Sequence, residues 1–100
     1  MKEIVLKLNK AFENRIRLGI MSVLMVNETL DFNSLKELLG ATDGNLSSHL
    51  SALEKEGLIR ISKQFVNRKP NTTCAVTAKG RQAFREHLDL LEKLIKSKNK

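Results

Sequence analysis

Apolar residues recur along the chain at helical spacing through its first half and again near its end. Over residues 8–26, Phe12, Ile16, Ile20 and Leu24 fall four apart with Val23 beside them, which predicts a first amphipathic helix. A short extended piece follows at 30–32. Asn33 is a plausible N-cap for a brief helix carrying Leu35, Leu38 and Leu39, which Gly40 ends. Thr42 or Asp43 caps the next helix, over 43–56, where Leu46, Leu50 and Leu53 share a face and Gly57 marks the stop. Two helices joined by three or four residues have helix-turn-helix spacing.

After Gly57 the pattern changes. LIRISKQF shows β-branched residues in partial alternation, CAVTA offers a second short strand, and VNRKPNTT between them is turn-prone. Together they predict a projecting hairpin with Arg68 and Lys69 at its tip and Pro70 stiffening the loop. Thr77 caps a long last helix with one apolar stripe of Phe84, Leu88, Leu91 and Ile95 and a second of Leu90 and Leu94. The tail KSKNK is expected to fray. This last face is wider than a small core needs. With Ile4, Leu6 and Leu8 it can build a homodimer interface, for which Ile4, Leu8, Leu88, Leu91 and Ile95 are the candidates; the same residues could instead close the domain's own core.

The helix over 43–56 has an odd outer face. A solvated face normally carries Glu, Lys and Arg, yet here Gly44, Asn45, Ser47, Ser48 and Ser51 accumulate, and all are weak helix formers. Positions 44, 48, 51 and 55 point away from the apolar face, with Asn45 and Ser47 on its flanks. Small residues let a helix approach another surface closely, and hydroxyl and amide groups can bond phosphate oxygens or base edges.

Charge strengthens that reading. The chain of 100 residues carries a formal net charge of +7, and residues 57–85 hold Arg60, Lys63, Arg68, Lys69, Lys79, Arg81 and Arg85 without a single acid. Such a cluster suits a polyanion, either nucleic acid or an acidic membrane surface, although a merely solvated basic face looks the same. Length and a composition of 41% hydrophobic and 29% charged residues fit one compact domain over 1–100. The longest apolar run, IMSVLMV, is too short to cross a bilayer, the amino terminus is unlike a secretory signal, and a cytoplasmic location is expected. The lone Cys74 forms no intramolecular disulfide and is expected to be a small buried thiol.

The order helix, strand, helix, helix, strand, wing, strand, helix is that of a winged helix-turn-helix, an α+β fold that is mainly α with a small β-hairpin. NRIRLGIMSVL, DFNSLKELLGATDGNLSSHLSALEKEGLI and TAKGRQAF resemble the first helix, the paired helices and the start of the last helix of small MarR-like and ArsR-like transcriptional regulators. The resemblance spans roughly residues 12–91 and is most specific in TDGNLSSHLSALEKEGLI followed by FVNRKP and TAKGR. It implies that the helix over 43–56 is a recognition helix for the major groove of double-stranded DNA, and that the wing reaches a minor groove or flanking phosphates. The residues matching these roles are Asn45, Ser47, Ser48, His49 and Ser51 on the helix, and Lys63, Arg68, Lys69 and Asn71 on the wing. Asn45 could read an adenine edge, and His49 could donate to a phosphate or lie satisfied against the core. Asp43 and Glu56 read as helix-end residues.

Other chemistries find little support. No glycine-rich phosphate loop, HExxH motif or nucleophile elbow is present, so no enzyme is predicted and no cofactor is expected. One Cys and two distant His give no metal-ligand cluster, leaving only His87 with Glu86 or Asp89 across a dimer as a remote option. A small-molecule effector at the dimer interface, near Phe12, Met21, Phe84 and Leu88, is a further possibility, as is a module that binds protein within a transcription complex. Repression is the expected output, because so short a chain can occlude a promoter but offers little surface to recruit polymerase.

Overall fold

A computed structural model gives the fold and describes residues 1–96; the rest of the tail, residues 97–100, lies outside the described residues. Helix α1 (Lys2–Lys7) leads through a single 3-10 turn (Lys10–Phe12) into α2 (Arg15–Val26). Strand β1 (Leu30–Asp31) precedes α3 (Phe32–Leu39) and α4 (Asp43–Lys55), β2 (Ile59–Val66) and β3 (Lys69–Val76) form the hairpin, and α5 (Ala78–Lys96) follows. The three strands make one antiparallel sheet in the order β1-β3-β2, with Leu30 opposite Cys74 and Ile61 opposite the same residue from the other side.

The apolar spacing over 8–26 overran the true start of α2. Asn14 is extended, and its Oδ1 accepts the N–H groups of Ile16 and Arg17 at 2.8 and 3.2 Å, which starts the helix at Arg15. Asn9 caps the 3-10 turn in the same way through the N–H of Ala11. Two asparagine caps therefore divide a stretch that looked continuous, and α1 is a separate helix that the apolar pattern did not predict. Phe12 still reaches the core. Helix α3 is capped by Asp31 rather than Asn33: its Oδ1 accepts the Ser34 N–H at 2.7 Å, and the bonds from the Ser34 side chain and backbone hold the Asp31 carboxyl below its ordinary range.

The core forms where α2, α3 and α4 meet the sheet. Ile20, Met21, Leu24, Leu35, Leu46 and Leu53 are fully enclosed, joined by Ile59, Cys74 and the edge-on pair Phe12–Phe84, whose ring centroids lie 5.2 Å apart. Thr77 ties the two halves together. Its hydroxyl donates to the Gly57 carbonyl at 2.6 Å and accepts the Gly80 N–H at 2.9 Å, so one side chain joins the end of α4 to the start of α5. Gly80 permits this approach, since a Cβ there would stand 1.9 Å from the Leu58 carbonyl oxygen.

On α5 the body-facing set differs from the predicted stripes. Phe84 and His87 are buried and Leu90, Leu91 and Leu94 half-buried, whereas Leu88 and Ile95 are exposed. His87 takes an apolar position because its needs are met there: the Asn9 N–H donates to its Nδ1 at 3.2 Å and its ring meets the edge of Phe12. Burial lowers its pKa, opposed by the charge of Glu13.

Candidate nucleic-acid interface

Helix α4 is seated by its back. Leu46, Leu50 and Leu53 anchor it in the core, Thr42 caps it by accepting the Asn45 N–H, and Gly57 at φ 76° ends it. The front carries Asn45, Ser47, Ser48 and Ser51, all exposed, and among the described residues none of their side chains has a hydrogen-bond partner. Four polar groups on one rigid face are thus open to an external ligand.

His49, on the flank, is half-buried. The Arg17 Nε donates to its Nδ1 at 3.0 Å, and burial, then the Arg17 charge, lower its pKa. A neutral ring whose Nδ1 accepts carries its proton on Nε2, the one donor left for a phosphate. Both roles weighed for His49 are therefore compatible, and the contact brings in Arg17, a cation that sequence reasoning missed because it lies 32 residues away.

The hairpin is aimed by a contact from α4 itself. The Ile61 N–H donates to Glu54 Oε2 at 2.9 Å, giving a purpose to a carboxylate beside the exposed polar face of α4. A groove runs between the two elements, with Ser47 and Ser51 on one side and Lys63 and Thr72 on the other. Thr72 was not among the predicted site residues; only its register opposite Lys63 reveals it.

The tip differs from its expected composition. Asn67 and Arg68, at φ 52° and 65°, form the two-residue turn, while Lys69, Pro70 and Asn71 already belong to β3, opposite Val66, Phe65 and Gln64. Alternation along the ladder places Lys69 and Asn71, with Val66 and Gln64, on the face opposite to Lys63, so the predicted wing set divides between two faces. Arg68 and Lys69 are exposed at or next to the turn. An arginine in the left-handed region costs about 1 kcal/mol where glycine would cost none, and this one holds its charge at the very end of the hairpin.

The remaining candidates separate cleanly. Phe12, Met21 and Phe84, considered for an effector pocket, are packed as core, and only Leu88 of that set is exposed. Burial, reinforced by Glu54, pushes the Cys74 thiol up to about 11 and keeps it protonated. Among the described residues no three His, Cys, Asp or Glu side chains are grouped to hold a metal ion, and no helix is long and apolar enough to cross a membrane.

A family model described as a winged helix DNA-binding domain matches residues 16–95. The chain belongs to that winged helix DNA-binding family. This is a family of DNA-binding regulators and not of enzymes. An uncharacterized protein of Methanocaldococcus jannaschii is 39% identical over 88 residues, covering 88% of this chain and 96% of that protein. A transcriptional regulator homologue from Pyrococcus horikoshii has the same fold with a TM-score of 0.84 at 33% identity, covering 94% of this chain and 91% of its own. NadR, solved in complex with 4-hydroxyphenylacetate, superposes with a TM-score of 0.72 at 26% identity over 95% of this chain and 67% of its own. ArsR-family and MarR-family regulators share the fold, in keeping with the resemblance drawn from the motifs.

Proposed function

We propose that this winged helix works as a homodimer that binds a two-fold symmetric site in double-stranded DNA and represses transcription from the cytoplasm by occluding a promoter. The observation that carries the proposal is the unpartnered polar face of α4 set across a groove from Lys63 and Thr72. In this reading Asn45, Ser47, Ser48 and Ser51 enter the major groove, His49 and Arg17 take a flanking phosphate, and Lys63, Arg68 and Lys69 hold the backbone or minor groove beyond it. Lys69 and Asn71 lie on the other face of the hairpin from Lys63, so Lys69 reaches its phosphate from beside the turn and Asn71 supports the turn or meets a phosphate from outside.

The dimer surface is assigned to the two ends of the chain. Ile4 is half-buried against α5, Leu8 and Leu91 are half-buried, and Leu88 and Ile95 are exposed, as are the apolar Val5 and Leu6 on α1. The described chain is also elongated, with a radius of gyration of 15.3 Å against about 13 Å for a compact domain of this length, as expected of a protomer that needs a partner. Leu88→Glu should shift the sedimentation profile from dimer to monomer. An effector is suggested only by the ligand of NadR, and the shallow groove between Ile4 and Asp89, Glu92 and Lys96 is the place for it here.

Selection of bound duplexes from a random pool, at near-physiological salt with competitor DNA, tests the whole reading. Enrichment of a two-fold symmetric motif with half-sites about one helical turn (roughly 34 Å) or a multiple apart is expected. Salt-sensitive binding without enrichment would instead favour a protein-interaction module with a basic face.

A further inference from the structure

One large apolar group on the hairpin has no part in the polar interface above. Phe65 is 79% exposed and Val66 48%, although both lie in a regular strand. Phe65 stands opposite Pro70, which has no N–H to give, so the two form a pair that exchanges no ladder bonds and brings their side chains close. Alternation puts this pair on the same face as Lys63 and Thr72, the face turned toward α4, one step further toward the Asn67–Arg68 turn. The ring therefore has Lys63 beside it on the same face and Arg68 at the adjoining turn, with Lys69 on the opposite face, in a segment from 57 to 85 that contains no acid.

That setting selects the occupant. A second copy of this chain meeting the patch about a two-fold axis would bring the same cations of both copies together, and an uncharged partner would leave them unused. A duplex offers both things required, phosphates for the cations and apolar sugar walls for the ring. We infer that Phe65 and Pro70 form an apolar wedge that packs against the deoxyribose walls of the minor groove while Lys63, on the same face, and Arg68, at the turn, hold the flanking phosphates. The inference rests on the DNA-binding reading of the wing. The wedge acts by burying apolar surface and releases no counterions, so its contribution does not vary with salt as that of the neighbouring cations does.

The test is a titration of Phe65→Ala, Phe65→Leu and Arg68→Ala onto the duplex selected by the wild type, at several salt concentrations, with thermal melting to confirm folding. Phe65→Ala should bind roughly tenfold more weakly at every salt, as expected for losing a buried ring, with the wild-type slope of log affinity against log salt. Phe65→Leu should lose less, and Arg68→Ala should lower the slope. Unchanged affinity in Phe65→Ala beside a weakened Arg68→Ala overturns the wedge and leaves the wing's phosphate contact standing. Absence of duplex binding by the wild type overturns the DNA-binding reading and the wedge with it. Sedimentation without DNA should give the same profile for wild type and Phe65→Ala, and self-association lost in the variant would assign the patch to a second copy and overturn the wedge.

Discussion

The back of α4 is enclosed, with Leu46 and Leu53 fully buried and Leu50 nearly so, whereas every residue from 63 to 70 in the outer half of the hairpin is exposed. The first element is fixed by side-chain packing against the core. The second is held by its backbone ladder and by the Ile61 to Glu54 bond. A face locked by packing can keep amide and hydroxyl groups in place to tell one base edge from another, which demands positional accuracy. A ladder-held arm can carry charge to phosphates, where small displacements matter less. Under the proposed function, discrimination and anchoring fall to elements whose rigidity suits each task.

The largest break in this comparison comes from the core. Leu53→Ala should lower unfolding stability by about 2–5 kcal/mol in a denaturant titration, because it empties a fully enclosed site that holds α4 in place. At the turn, Arg68→Gly relieves the positive φ and should raise stability by up to about 1 kcal/mol while weakening DNA binding. Gly44→Ala makes the same point on α4. A Cβ there meets nothing within 4 Å and the residue does not adopt a positive φ, so alanine should raise the melting temperature, with a gain of up to about 1 kcal/mol. Its added methyl should at the same time hinder approach to the groove, and equal or better DNA binding would show that α4 does not enter closely.

The smallest effect is one of pH. Burial lowers the pKa of His87 below the ordinary 6.5, so the unfolded chain takes up a proton first as pH falls. The stability linked to His87 is fully present above 6.5 and is lost as pH drops through the lowered folded value. His87→Gln should flatten that decline in thermal melts between about pH 7.5 and about pH 5. The change should appear in stability and leave base preference alone, since His87 is buried against Asn9 and Phe12 and lies outside the polar face of α4.

The sequence made α4 readable because its leucines and its small polar residues separate cleanly onto two faces. Gly40, Gly57 and Thr77 marked true boundaries for the same reason, each being the residue type its backbone position demands. Asn9 and Asn14 hid their caps because an asparagine among charged neighbours looks like ordinary polar surface. The tip, expected at Arg68 and Lys69, was misplaced by one residue toward Pro70, since Asn67–Arg68 lacks the glycine that usually betrays two positive φ angles. Thr72 and Arg17 could not be found from spacing at all: one depends on strand register, the other on packing between α2 and α4.

The most direct test of the division between reading and anchoring compares Asn45→Ala with Arg68→Ala on the selected duplex and on a scrambled one across a salt series. Asn45→Ala should lose about 1–3 kcal/mol on the selected duplex alone and keep the wild-type salt slope. Arg68→Ala should weaken binding to both duplexes and reduce the slope by about one contact. If the two variants weaken both duplexes alike, with the same change of slope, α4 does not read bases and the account fails.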